Sequence, residues 1–198
     1  DNNNWPYPQM PSQSGATKGM VTWTQTKVLN SNPVQWISTC MIYDEKGRVI
    51  QVQTKNDLTG GVDVTTTQYT WAGQPLRSVQ RQQLTGTNAQ ENIVVTQLTY
   101  DDLGRVVKTE KKIGNSLLGT ITGLPAAAYL TTSEVTYDAL GQAKTKNLGK
   151  VRNSDGVTYS STPIETLTYD YNIRGWLLGM NRNYLTANGQ SGTSRFGF

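Results

Sequence analysis

A short pattern returns five times along this chain: a tyrosine that closes an apolar or β-branched run, followed by a turn-forming stretch ending in glycine. The copies are Tyr43-Asp44-Glu45-Lys46-Gly47-Arg48-Val49, Tyr69-Thr70-Trp71-Ala72-Gly73-Gln74-Pro75, Tyr100-Asp101-Asp102-Leu103-Gly104-Arg105-Val106, Tyr137-Asp138-Ala139-Leu140-Gly141-Gln142-Ala143, and Tyr169-Asp170-Tyr171-Asn172-Ile173-Arg174-Gly175-Trp176. Their tyrosines are 26, 31, 37 and 32 residues apart. A period of that size marks a repeat architecture, in which each unit buries its apolar surface against its neighbours.

Asp-x-x-Gly has the composition of a type I turn followed by a left-handed residue. The aspartate accepts bonds from backbone N–H groups in the turn, and glycine takes positive φ without a steric penalty. An x-x-Gly loop sets Asp44 opposite Arg48, Tyr43 opposite Val49 and Met41 opposite Gln51, and in the third copy Asp101 opposite Arg105 and Tyr100 opposite Val106. Tyrosine facing a β-branched residue is a favourable cross-strand pair of about 0.2–1 kcal/mol. Two residues before the tyrosines stand Met41, Thr67, Leu98, Val135 and Leu167. Four of these five are apolar, so the tyrosine face is expected to point into the core with its hydroxyls bonded. Arg48 and Arg105 are expected to pair with the turn aspartates or lie over aromatic rings, fixing hairpin register. In the fifth copy the turn reads as two residues longer, with Tyr169, Asp170 and Gly175 in the motif positions.

Between these turns lie β-branched runs bounded by Gly, Asn, Asp or Pro, at 21–28, 34–43, 49–55, 62–69, 76–84, 93–100, 106–113, 133–137, 143–151, 164–169 and 176–181. They predict about eleven strands joined as hairpins, an all-β antiparallel, twisted and curved sheet. The best helix candidate, 124–130, is one or two turns long and sits in the connection that stretches the third interval. Residues 1–19, with Pro6, Pro8 and Pro11 among Asn, Gln and Ser, predict an extended leader able to cover one sheet edge, ahead of a repeat domain over 20–198.

Composition narrows the chemistry. The 198 residues contain no histidine, which removes Ser-His-Asp and Cys-His catalysis and the commonest metal ligand. Cys40, the single cysteine, permits no internal disulfide and reads as a small buried apolar group among Ile37, Met41 and Ile42. Carboxylates outside the turns (Asp63, Glu91, Glu110, Glu134, Asp155 and Glu165) read as solvated strand or loop groups, and Gly60-Gly61 precedes no helix that would cradle phosphate. No catalytic, metal or cofactor site is therefore expected. The net charge of +4 is spread thinly, so no nucleic-acid footprint is expected, and no apolar run approaches the length of a membrane span.

Tyr-Asp-x-x-Gly-Arg at such intervals resembles the YD repeat of the Rhs family, bacterial surface and toxin-delivery proteins related to animal teneurins. The resemblance covers about residues 20 to 185. It is complete at Tyr43 to Val49 and Tyr100 to Val106; Gln142 replaces arginine at Tyr137 to Ala143, and Tyr69 to Pro75 keeps Tyr69 and Gly73. The stretch Tyr171 to Leu177 is similar to one common in such proteins from Bacteroidetes. The resemblance implies a ribbon of hairpins contributing to a shell around a C-terminal effector, a structural and non-catalytic role, and an extracellular or cell-surface location.

The alternative reading is a carbohydrate-binding β module. Trp5, Trp23, Trp36, Trp71 and Trp176 with ten tyrosines supply stacking platforms, Trp71 at a turn position where burial is hard. Trp71 and Trp176 are the candidate glycan contacts, whereas Trp23 and Trp36 lie in strand-like runs where core packing is expected. Partners implied are neighbouring repeats of the same parent chain, a second copy meeting edge to edge, or a polysaccharide.

Overall fold

In a computed structural model of the chain, residues 12–57, 60–155, 158–186 and 194–198 are described. The fold is all-β. Eleven strands form one open antiparallel sheet in chain order: β1 (Trp23–Lys27), β2 (Trp36–Tyr43), β3 (Val49–Asn56), β4 (Gly61–Tyr69), β5 (Pro75–Leu84), β6 (Gln90–Tyr100), β7 (Val106–Asn115), β8 (Leu130–Tyr137), β9 (Ala143–Leu148), β10 (Glu165–Tyr171) and β11 (Leu177–Met180). Every expected strand forms. A one-turn helix α1 (Arg182–Thr186), which the sequence pattern does not announce, follows β11. The 124–130 segment forms turns instead of helix, with Leu124 N–H donating to Ile121 O and Ala127 N–H to Leu124 O. Pro125 supplies no N–H there, and so short a run cannot offset the cost of helix nucleation.

Contacts divide the chain into two compact units, Asp1–Gln97 with Lys112–Ala128, and Leu98–Lys111 with Tyr129–Phe198. In the first unit the cross-strand row Gln51, Thr66, Val79 and Val95 is almost fully buried. Its two polar members satisfy one another, the Gln51 amide Nε2 donating to Thr66 Oγ1 at 2.8 Å. Lys112 fastens the connection that follows β7 by donating to Pro125 O at 2.9 Å and Leu124 O at 3.5 Å. Burial, and secondarily the Arg77 guanidinium, lower the Lys112 pKa. Leu124, in that tethered connection, is buried.

Among the described residues of the second unit, Leu167, Glu165, Gly179 and Asn181 are buried. Asn181 Oδ1 accepts from Thr168 N–H at 2.8 Å while its Nδ2 donates to Phe196 O at 2.9 Å. The 194–198 segment is thereby held along β11, where Phe198 and Met180 exchange two backbone bonds of 3.0 Å. Glu165 accepts from Arg195 N–H at 3.1 Å.

Three packing expectations change. Trp23 is 58 % exposed because β1 is an edge strand with no second layer over it among the described residues, and Trp36 and Cys40 are half-buried. Of the motif tyrosines only Tyr43, 9 % exposed, is buried; Tyr69, Tyr100, Tyr137 and Tyr169 are half-buried, since a sheet of this kind buries rings against neighbouring hairpins and not beneath a second sheet. Met41 pairs with Val52, not Gln51, because the pairing skips Ile50 between Ile42 and Tyr43. Of the expected leader, residues 1–11 lie outside the described residues; beyond them Ser14 N–H donates to Tyr43 O at 2.8 Å and a turn closes from Thr17 O to Met20 N–H.

Candidate functional site

The five turns share one hydrogen-bond plan. In the first, Gly47 N–H donates to Asp44 O and Asp44 N–H to Arg48 O, both at 3.0 Å. Identical pairs join Thr70 with Gly73 and Gln74, Asp101 with Gly104 and Arg105, and Asp138 with Gly141 and Gln142. Gly47, Gly73, Gly104, Gly141 and Gly175 all have φ between 73° and 90°, the left-handed region that makes glycine the residue closing each turn.

The fifth turn corrects the sequence pattern. Its bonds run from Gly175 N–H to Asn172 O and from Asn172 N–H to Trp176 O, at 2.9 and 3.0 Å, so the turn begins at Asn172 and not Asp170. Tyr171, facing Leu177, takes the place occupied by Tyr43 facing Val49, and Tyr169 lies farther down the strand opposite Met180. No residues are inserted. Asn172 does what the aspartates do: its Oδ1 accepts from Arg174 N–H and Trp176 N–H at 2.9 Å, as Asp44 Oδ1 accepts from Lys46 N–H and Arg48 N–H at 2.9 Å. The signal was present in Tyr171-Asn172-x-x-Gly175, because asparagine caps such a turn as well as aspartate does.

Four of the motif hairpins also skip one residue just past the tyrosine, with shifts at Tyr43, Tyr69, Tyr137 and Tyr171 that leave Ile50, Leu76, Lys144 and Leu178 without an opposite number. A bulge bends its strand and raises the local twist. Its recurrence at one place in the motif makes the distortion part of the repeat.

Above the turns lies a charged clamp between consecutive hairpins. The Arg48 guanidinium holds Asp44 through Nε at 2.7 Å and Nη2 at 2.6 Å, donates through Nη1 to Thr70 O at 3.1 Å, and lies 4.8 Å from the centre of the Tyr69 ring. Arg105 repeats this, with Nε and Nη2 each 2.7 Å from Asp101 and the guanidinium 4.2 Å from the Tyr137 ring centre. Both expected roles of the arginines therefore occur together. Burial alone raises the Asp44 carboxyl, but the bonds from Arg48 and from the Lys46 N–H outweigh it and leave the pKa below the usual carboxylate value. At Asp101 the Arg105 backbone N–H leads the causes that lower the pKa.

The tyrosine hydroxyls carry a second link. Tyr43 donates to Val21 O at 2.7 Å, Tyr69 to Val49 O at 2.9 Å and Tyr137 to Val106 O at 2.9 Å. In each case the acceptor is a carbonyl at or near the start of the strand that follows the previous turn. Ring and hydroxyl of one tyrosine thus bind the hairpin before it by two independent contacts.

Trp71 is 90 % exposed at its turn, with the Lys46 ammonium 3.5 Å from the ring centre and bonded to Trp71 O at 3.3 Å. Trp176 is 64 % exposed with Arg174 5.6 Å from its ring centre. The Lys46–Trp71 stack was not read from sequence; only the hairpin-to-hairpin alignment brings the two together. Beside it opens a shallow recess of about 390 Å³ lined by Asp44, Lys46, Arg48, Gln68, Tyr69 and Ser12.

Four of the carboxylates outside the turns are engaged in ion pairs, Glu91 with Arg81, Glu134 with Lys150, Glu110 with Lys108 and Glu165 with Arg195, while Asp63 accepts from Gln83 N–H and Asp155 from Thr158 N–H; Glu165 is buried and not solvated as expected. The bond from Arg81 chiefly lowers the Glu91 pKa. Among the described residues no group of three or more His, Cys, Asp or Glu side chains is arranged to hold a metal ion, and no helix is long and apolar enough to cross a membrane. No protein-family model matches this sequence, and no curated protein matches it either.

Proposed function

We propose that this chain is a non-catalytic structural segment of a large cell-surface or secreted protein of the Rhs kind, lending its hairpins to a β-shell that encloses or displays a C-terminal effector. The observation that carries this reading is the Asp–Arg–Tyr clamp, in which the most distinctive side chains of the motif are spent on joining one hairpin to the next. Arg48 and Arg105 each have an ion pair and a ring to hold, and Arg48 a carbonyl besides. Side chains so engaged serve cohesion.

Limited proteolysis of the parent protein, with its C-terminal part in place, tests the reading. The expected result is a protected C-terminal part in the native protein and faster cleavage there in an Arg48→Ala, Arg105→Ala variant. Equal cleavage in both would overturn it.

A carbohydrate-binding module is the second reading, favoured by the exposure of Trp71 and Trp176 and by the recess beside Lys46. It requires that Trp71→Ala and Trp176→Ala abolish binding to a polysaccharide while unfolding is unchanged.

A further inference from the structure

We propose that β1 is a self-pairing edge, through which two copies of this chain join antiparallel, β1 against β1, about a two-fold axis at Gln25. Hydrogen-bond alternation fixes which backbone groups the strand offers. Thr22 O accepts from Met41 N–H at 2.8 Å and Val28 N–H donates to Gln35 O at 2.9 Å, so the even-numbered residues between them turn their backbone groups toward β2. Trp23, Gln25 and Lys27 turn theirs outward. Among the described strands only β2 pairs with β1, and all five β1 residues are exposed. The far side of β11 differs, since Phe198 occupies the Met180 backbone there.

The strand Trp23-Thr24-Gln25-Thr26-Lys27 is complementary to its own reverse. With the axis at Gln25, Gln25 meets the partner's Gln25, Thr24 meets the partner's Thr26, and Trp23 meets the partner's Lys27. Every outward N–H and C=O of the three odd residues then finds a mate, giving about six backbone bonds. The pair types are ones this chain already uses, across elements for Thr–Thr and Lys–Trp and along β3 for Gln–Gln. Thr39 and Thr54 bond across strands at 3.3 Å, as Thr136 and Thr145 do at 2.6 Å. A lysine ammonium sits 3.5 Å over a tryptophan at Lys46 and Trp71, and Gln53 Nε2 donates to Gln51 Oε1 at 2.6 Å.

Other registers lose these matches. An axis at Lys27 sets two ammonium groups face to face, and a slip by one residue puts the tryptophan on the face opposite its lysine. A foreign strand would have to supply lysine, threonine and glutamine in the same order, whereas a second copy supplies them by symmetry.

Sedimentation velocity of the 198-residue chain from about 5 to about 300 μM, a range suited to a small edge contact, reads the association. The expected result is a monomer–dimer equilibrium that Gln25→Pro weakens at least about tenfold; the substitution removes an outward N–H and spares the β2 pairing. A Cys40→Ser chain carrying Gln25→Cys should form a disulfide dimer on mild oxidation, because paired Cα atoms about 5.5 Å apart suit a disulfide. Thr24→Cys, on the other face and off the axis, should not. A monomer at every concentration, a dimer left as tight by Gln25→Pro, or equal cross-linking at positions 24 and 25 would overturn the proposal. Should the proline variant fail to fold by circular dichroism, the cysteine pair decides alone.

Discussion

Arg48 lies 4.8 Å over the ring of Tyr69 while gripping Asp44 at 2.6 Å, so one guanidinium closes its own hairpin and fastens the next. The planar fork makes this possible, since it can bond in its plane and stack on its face at once.

Arg48→Ala is expected to destabilise the chain by about 1–3 kcal/mol, combining a lost charge-assisted pair with a lost ring contact. Arg48→Lys should recover only part of this, because a point charge cannot hold carboxylate and ring together. Chemical denaturation of the three proteins checks the order, and a lysine variant as stable as the parent would contradict the fork argument.

Tyr69→Phe removes the hydroxyl that donates to Val49 O at 2.9 Å but leaves the ring under Arg48. The expected loss is about 1 kcal/mol. In a double-mutant cycle with Arg48→Ala the coupling should be small for Tyr69→Phe and about 0.5–2 kcal/mol for Tyr69→Ala.

The folded-state pKa values of Asp44 and Asp101 lie below the ordinary 3.8. Their contribution is therefore fully present above about pH 4 and is lost as pH falls through the depressed folded values, because the unfolded chain then binds protons more readily. Stability measured from pH 7 to pH 2 should drop at the acid end. In an Asp44→Asn, Asp101→Asn chain, built on the Asn172 precedent, the drop should be smaller and the plateau at pH 7 lower.

Two glycines should respond for different reasons. Gly73 has φ of 90° and open space where a methyl group would stand, so Gly73→Ala should cost about 1 kcal/mol from backbone strain alone. Gly61 has no such φ, but a Cβ there would run into the Gln83 carbonyl, and Gly61→Ala should be the more damaging of the two. Thermal unfolding of both variants gives the ranking.

Trp71→Ala should alter stability by about 0.5 kcal/mol or less, as expected of a surface position, despite the loss of a large aromatic. A much larger effect would show that the Lys46 stack carries folding energy.

The strands and the turns were legible because they rest on local chemistry: β-branched runs, an Asx cap and a glycine at positive φ each act within a few residues. What escaped was whatever depends on pairing between distant segments. The skipped residue at Ile50 could not be seen from the motif, and it moves Met41 from Gln51 to Val52. The exposure of Trp23 follows from its strand being first in the sheet, which its neighbours in sequence do not reveal. Asn172 was hidden for another reason: reading aspartate alone as the turn cap drew the fifth copy toward Asp170, although an amide oxygen serves equally. The arginine clamp was legible by its two alternatives, and the alignment of consecutive hairpins is what lets both hold.

Because a tyrosine hydroxyl here reaches back to the carbonyl one hairpin earlier, as from Tyr69 to Val49 and from Tyr137 to Val106, neither of these fastenings demands a particular total length. A duplicated or deleted pair of strands would arrive or leave with its own attachments intact. Genes encoding such chains can therefore grow or shrink in whole steps of about thirty residues without passing through an unfoldable intermediate.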